Sequence, residues 1–109
     1  MEPQKRKILH CVVSGKDLFA DWFYSLADSA VRDVVIRRLM RVSDGNFGDH
    51  APVGGGVWEL RIHFGAGHRV YYGEQGAAIV ILICGGDKHS QKNDIRRATK
   101  LWALYRGKI

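Results

Sequence analysis

The chain has 109 residues, 46% of them hydrophobic and 26% charged, which suits one folded domain over residues 1–109 and excludes a disordered chain. No segment approaches the roughly 20 apolar residues of a membrane-spanning helix, and the first residues lack the apolar run of a signal peptide, so we expect a cytoplasmic protein. Cys11 and Cys84 stand alone in apolar contexts, which predicts small buried side chains rather than a metal or redox pair.

The net charge of +6 is concentrated at the C-terminal end. Residues 88–109 contain a single acid, Asp94, and seven basic residues: Lys88, Lys92, Arg96, Arg97, Lys100, Arg106 and Lys108. Such a cluster favours binding to a polyanion, because each neutralised phosphate releases counterions. A solvated helix face that keeps the protein soluble is the alternative interpretation.

The N-terminal part predicts a strand followed by a helix. The strand covers Lys7 to Val13. Ser14, with Asp17 three residues later, resembles a capping box that opens the helix. Its core-facing residues have the i, i+3, i+4, i+7 spacing and are Phe19, Trp22, Phe23 and Leu26.

A second helix is predicted to begin at Asp28 or Ser29 and to stop at Gly45. One face is apolar, with Val31, Val35, Leu39 and Val42, while the other faces hold Arg32, Arg37, Arg38 and Arg41. The short connection predicts that the two helices form an antiparallel hairpin.

The strands that follow place charged residues on one face of a two-stranded ribbon. Val57 to Phe64 alternates in polarity, and residues 65–67 form a predicted hairpin turn. With that three-residue loop, Arg61 lies opposite Tyr71 and His63 opposite Arg69. The polar face then carries Arg61, His63, Arg69 and Tyr71, and the core face carries Leu60, Ile62, Val70 and Tyr72.

The chain then continues with a central strand and a last helix. Ala77 to Cys84 is almost continuously apolar and is predicted to end at Gly85-Gly86. Ser90 can cap the helix, whose core side contains Ile95, Ala98, Trp102 and Tyr105. The order of elements predicts an α+β protein with an antiparallel sheet and helices mostly on one face.

Arg61 and Arg69 are the basis of the functional interpretation, because two guanidinium groups on adjacent strands can bind one phosphate from two directions. The alternative is an ordinary surface on which Arg61 pairs with Glu59 and Tyr71 packs over Arg69. Locking both arginines to an acid deep inside the protein would count against a phosphate site.

Residues 84–91 lead from a strand into a helix N-terminus, where free amides and the charge of Lys88 would attract an anion. The P-loop pattern GxxxxGK[ST] is absent, and two adjacent glycines can also mean only a sharp turn. The histidines show no HxxxH or HExxH spacing, so we expect no metal and no cofactor.

Six stretches carry a family resemblance from about Leu18 to Trp102. They are Phe19-x-x-Trp22-Phe23-x-x-Leu26, Arg38-Leu39-x-Arg41, Gly45-Asn46-Phe47-Gly48-Asp49, Val53-Gly54-x-Gly56-Val57-x-Glu59-Leu60-Arg61-Ile62, Gly65-x-Gly67-x-Arg69-Val70-Tyr71-Tyr72 and Gly85-Gly86-Asp87-Lys88-x-x-Gln91-x-x-Asp94-Ile95. In this order they resemble the HigB-like, phage-derived addiction-module branch of the RelE/ParE toxin superfamily.

The resemblance implies the RelE-like fold, an antiparallel twisted sheet with an N-terminal helical hairpin and a C-terminal helix. It implies a type II toxin that is neutralised by a cognate antitoxin of the helix-turn-helix kind. Operator DNA would be contacted only through that antitoxin, and no membrane is involved. The implied activity is ribosome-dependent cleavage of messenger RNA, with Arg61, Arg69 and Lys88 at the positions of the family's basic residues. Asp94 stands roughly where RelE has a tyrosine near its last helix.

These residues suggest a metal-independent endoribonuclease, in which Arg61, Arg69 and Lys88 stabilise the transition state. Candidates for the proton acceptor are His63, His89, Tyr71 and Asp87. The expected RNA-binding residues are His89, Lys92, Arg96, Arg97 and Lys100. ParE relatives share the scaffold and poison DNA gyrase, so gyrase inhibition and non-catalytic nucleic-acid binding remain alternatives.

Overall fold

The computed structural model describes residues 4–107, so Lys108 lies outside the described part. The elements are β1 Lys7–His10, β2 Val12–Val13, β3 Lys16–Asp17, α1 Leu18–Ser25, α2 Ser29–Ser43, β4 His50–Gly54, β5 Val57–Ile62, β6 His68–Gln75, β7 Ile79–Asp87 and α3 Gln91–Arg106. The predicted α+β class is therefore confirmed. Within residues 4–107, no helix has both the length and the apolar character needed to cross a bilayer.

Five strands form one sheet in the order β1-β7-β6-β5-β4, and β2 and β3 form a separate small ribbon. The pairs from β4 to β7 are antiparallel, whereas β1 runs parallel to β7. The prediction of a wholly antiparallel sheet is thus wrong at one edge. Strand β4 was not predicted, since Pro52 and Gly54 weaken its β-strand signal.

The first helix begins later than the capping-box prediction. Asp17, not Ser14, is the N-cap of α1, and its carboxylate accepts a hydrogen bond from the amide of Ala20 at 3.0 Å. Ser14 lies in the turn between β2 and β3 at a φ of +52°. The predicted limits of α2 are confirmed, with Asp28 as N-cap and Gly45 following the C-cap.

The helices lie on both faces of the sheet. A Cβ added to Gly85 would meet Trp22 of α1 at 2.2 Å, while one added to Gly86 would meet Asp94 of α3 at 1.8 Å. Since neighbouring strand residues point to opposite faces, α1 and α3 lie on opposite sides of β7. The main contacts of α1 are with β7 and those of α2 with β5. Both helices pack on the same apolar core, which is the common surface that the sequence predicted.

Each face therefore has its own apolar core. The core beneath α1 and α2 contains Phe19, Val31, Val35, Val42, Leu60, Ile62, Val70, Tyr72, Val80 and Leu82. The core beneath α3 contains Cys11, Val13, Val57, Tyr71, Ile81, Ile83, Cys84, Ala98 and Trp102. The predicted burial of both cysteines is confirmed.

The β5–β6 pairing differs from the predicted one by two residues. Arg61 lies directly opposite Arg69, and Glu59 lies opposite Tyr71, with residues 63–67 connecting the strands. Because side chains alternate with a period of two, a shift of two residues leaves each one on its predicted face. His63 nevertheless falls just beyond the end of β5.

Strand β7 does not end at Gly85-Gly86 but continues to Asp87. Gly86 pairs with Arg69, and Asp87 pairs with His68. The two glycines allow close packing from both sides, and the turn into α3 follows them. The end of the central strand therefore lies beside Arg69, so the turn that follows it is close to the face that carries the two arginines.

Candidate functional site

A buried carboxylate joins the two arginines selected from the sequence. Glu59 of β5 is 1% exposed, with Arg61 Nε 3.0 Å from its Oε1 and Arg69 Nε 3.3 Å from its Oε2. The side-chain amide of Gln91 in α3 donates to Oε2 at 2.9 Å. A buried carboxylate is stable only with counter-charges and donors of this kind. We call Glu59, Arg61, Arg69 and Gln91 the Glu59 cluster.

The Arg61–Glu59 pair is the one that the ordinary-surface interpretation predicted. Arg69 Nε is too poorly aligned for a hydrogen bond, so its contact with Glu59 is an ion pair. The Arg61 side chain is 40% exposed and that of Arg69 is 15% exposed. The hydrogen bond to Glu59 raises the pKa of Arg61. Arg61 is therefore the arginine that a ligand could most readily contact.

Asp49, which sequence reasoning did not select, links two candidate site residues. Its Oδ2 lies 2.6 Å from His63 Nε2, and its Oδ1 lies 3.4 Å from Arg61 Nη1. The hydrogen bond with His63 lowers the pKa of the Asp49 carboxyl group. The only signal in the sequence was the position of Asp49 at the end of a stretch that carries the family resemblance.

A buried arginine of α2 holds the loop that contains Asp49. Arg38 donates hydrogen bonds to the main-chain oxygens of Phe47 at 2.9 Å and Asp49 at 2.7 Å, and to that of Arg61. Among residues 4–107 it forms no salt bridge within 4.0 Å, and burial lowers the pKa of Arg38. The prediction that Arg38 lies on a polar face is wrong. We call Arg38 and these three oxygens the Arg38 cradle.

Tyr71 is fully buried between the sheet and α3. Its hydroxyl has no hydrogen-bond partner within the described residues. Burial is the main cause of its raised pKa, and the nearby carboxylates of Glu59 and Asp94 add to it. Because this hydroxyl does not reach the surface, the function proposed below does not use Tyr71.

The turn between β7 and α3 has fewer free amides than expected. Asp87 Oδ1 accepts hydrogen bonds from the amides of Ser90 at 3.1 Å and His89 at 2.9 Å, which lower the pKa of Asp87. Ser90 is the N-cap residue, but its hydroxyl makes no cap hydrogen bond and instead donates to Asp94. Lys88 is exposed in this turn, as is His89. Any anion at this turn would depend on side chains more than on amides.

The basic residues of α3 do not share the face of the Glu59 cluster. Lys92, Arg96 and Lys100 are exposed and follow one another at intervals of four. Helical geometry places this stripe opposite the buried Asp94 and Ala98. Arg97 forms an ion pair with Asp94 at 2.9 Å, and its side chain is 54% exposed. The structure brings together Arg61, Arg69 and His63, but it leaves the stripe on α3 pointing away from the sheet.

Comparison with known proteins assigns most of the chain to a family. Residues 21–103 match the model of a family described as "Phage derived protein Gp49-like (DUF891)". A protein of Haemophilus influenzae described as "Uncharacterized protein" is 42% identical over 83 residues, which cover 76% of this chain and 84% of that protein. The chain belongs to the Gp49-like family of phage-derived proteins.

Proposed function

We propose that this chain is the toxin of a type II toxin-antitoxin pair and acts in the cytoplasm as an endoribonuclease that cuts messenger RNA on the ribosome. The proposal includes a RelE-like fold and membership of the HigB-like branch. It is supported by the phage-derived family and by the sequence stretches shared with addiction-module toxins. The observation that carries it is the direct pairing of Arg61 with Arg69 across two strands.

Glu59 competes with phosphate for Arg61 and Arg69, because both arginines pair with this buried acid. Glu59 contacts the Nε atom of each arginine, and it offsets one of their two positive charges. The Arg61 side chain is 40% exposed, and within the described residues its terminal nitrogens make only the long contact with Asp49. Glu59 would then fix the orientation of both guanidinium groups while their terminal nitrogens bind phosphate.

In the proposed reaction the RNA 2′-hydroxyl attacks the adjacent phosphorus atom. The O2′–P bond forms, the P–O5′ bond breaks, and the products are a 2′,3′-cyclic phosphate and a 5′-hydroxyl. A base removes the proton of the 2′-hydroxyl, and the leaving 5′-oxygen takes a proton from water. Arg61, Arg69 and Lys88 stabilise the added negative charge of the transition state. An arginine cannot be the base, because it stays protonated.

The test is cleavage of a defined message on purified ribosomes, with mapping of the new RNA ends. Arg61→Ala and Arg69→Ala should each lower the cleavage rate by about 10²–10³-fold, as for the loss of other transition-state donors. The matched control is Lys16→Ala, which removes an exposed positive charge on β3. Cleavage by both arginine variants at the parental rate would refute the proposed role.

A second candidate is non-catalytic nucleic-acid binding, which the exposed stripe of Lys92, Arg96 and Lys100 favours. Binding of this kind would weaken steeply with salt and leave the message uncut. DNA breaks at gyrase sites in cells, together with intact messages, would instead identify a gyrase inhibitor. The ribosome assay combined with these two measurements separates the three functions.

The proposed antitoxin would have an acidic, partly apolar segment. An open apolar groove runs between α1 and α2 and includes Phe23, Ile36 and Leu39. Arg37 and Arg41 are exposed on the same helix as Ile36 and Leu39, so an acidic segment would complement the groove. Co-expression with the neighbouring gene's product should protect cells, and Ile36→Asp should abolish that protection.

A further inference from the structure

The contacts of Asp49 single out one histidine among the candidate bases. His63 is 75% exposed and its Nε2 lies 2.6 Å from Asp49 Oδ2. No side-chain hydrogen bond of His89 is present within residues 4–107, and Asp87 is already engaged by two amides. His63 is thus the candidate whose ring is oriented by a carboxylate.

The contact also determines which ring nitrogen carries the proton. An ionised carboxylate can only accept hydrogen bonds, so the neutral His63 ring must donate from Nε2. Its Nδ1 atom then carries the free lone pair. A carboxylate placed in this way also stabilises the imidazolium that forms when the ring takes a second proton.

Asp49 is itself held in place from two sides. Its main-chain oxygen accepts hydrogen bonds from buried Arg38 at 2.7 Å and from the amide of Arg61 at 3.0 Å. Its Oδ1 also lies within ion-pair distance of Arg61 Nη1. The carboxylate that orients His63 is therefore fixed in position relative to Arg61, the side chain proposed to bind phosphate. The 2′-hydroxyl to be deprotonated is a neighbour of that phosphate in RNA.

We propose that Asp49 is a positioning residue, which holds His63 with Nδ1 free to accept the proton of the attacking 2′-hydroxyl. This inference rests on the proposed ribonuclease function and names the base of that reaction. The proton moves from O2′ to His63 Nδ1 as the O2′–P bond forms. His63 is the catalytic residue, and Asp49 acts through it.

The test compares Asp49→Asn with His63→Gln in the ribosome assay. Asp49→Asn leaves untouched the main-chain oxygen that Arg38 holds, so the loop should keep its position. We expect His63→Gln to lower kcat about 10²-fold and Asp49→Asn to lower it about 10- to 100-fold. KM should stay unchanged in both variants. The double variant should be no slower than His63→Gln, and Asp33→Asn, an exposed acid on α2, should behave as the parent.

A second measurement does not depend on activity. Long-range ¹H–¹⁵N spectra of the imidazole ring should show the proton on Nε2 of His63 in the parent and a mixture of tautomers in Asp49→Asn. An Nδ1-protonated ring in the parent would overturn the inference. So would full kcat in Asp49→Asn or His63→Gln when the parent cuts RNA. A parent protein that cuts no RNA in the ribosome assay would overturn the proposed function itself. The reaction with the parent protein therefore distinguishes failure of the function from failure of this inference.

Discussion

The Arg38 cradle and the Glu59 cluster hold arginines in opposite ways. The cradle surrounds one buried guanidinium with neutral main-chain oxygens. The cluster places a buried carboxylate between two arginines that are partly exposed. A guanidinium that meets only carbonyl groups keeps its full charge and makes directional bonds to the backbone. One that meets a carboxylate has its charge largely offset.

This difference indicates separate roles for the two regions. The cradle connects α2, the loop before β4 and the end of β5, so its bonds determine where that loop lies. The cluster organises side chains at the surface. Stability should therefore depend mainly on the cradle, and ligand binding mainly on the cluster.

The largest effect on stability is expected from Arg38→Met, which removes the guanidinium and its hydrogen bonds to three main-chain oxygens. The free energy of unfolding should fall by about 3 kcal/mol, since each lost hydrogen bond contributes about 1 kcal/mol. Urea denaturation measures it. The control is Arg41→Met, an exposed position one turn later on the same helix. Equal stability of the two variants would show that the cradle is not a structural centre.

Glu59→Gln should have the next largest effect. It leaves the shape of the side chain intact but removes the charge that offsets Arg61 and Arg69, and we expect a loss of about 2 kcal/mol in the free energy of unfolding. The control is Glu74→Gln, which breaks the more exposed pair with Arg6 at 2.8 Å and should cost less than about 1 kcal/mol. Phosphate should bind the Glu59→Gln variant more tightly than the parent if the cluster is an anion site.

The smallest effect concerns pH and Asp87. Its pKa is lowered from 3.8 in the folded protein, so its ionised form stabilises the fold above that pH, and the contribution is lost as pH falls through the folded value. The difference in thermal midpoint between the parent and Asp87→Asn should therefore be constant from about pH 7 to pH 5 and shrink in more acidic solution.

The cradle provides the contrast for that measurement, because its acceptors do not titrate. The deficit of Arg38→Met should change much less over the same pH range than the deficit of Asp87→Asn. If both deficits disappeared together in acid, the cradle would depend on a carboxylate after all.

The sequence predicted the faces of the strands well because a period of two survives an error in pairing. Leu60 and Arg61 lie on their predicted faces although the β5–β6 register differs by two residues. The order of the three helices and of β5 to β7 was also predictable, as were the α2 limits, since Asp28 and Gly45 act locally. These features depend on neighbours in the chain.

The remaining features depend on distant residues. Gly85 and Gly86 resemble a turn until Trp22 and Asp94 are seen to pack against them. Arg38 resembles a surface residue because its acceptors come from other elements. The contact between Asp49 and His63 spans the two strands β4 and β5 and the turn between them. No local pattern contains such information, so the Asp49–His63 pair could not have been found without coordinates.

The two glycines of β7 determine how far apart α1 and α3 can be. At this point the indole of Trp22 and the carboxylate of Asp94 approach the backbone of β7 from opposite sides. Only the main chain of β7 separates the two side chains. Any side chain larger than hydrogen at either position would push one helix outward. Variation in this family should therefore be strictly limited at residues 85 and 86, even though neither of them takes part in the proposed chemistry.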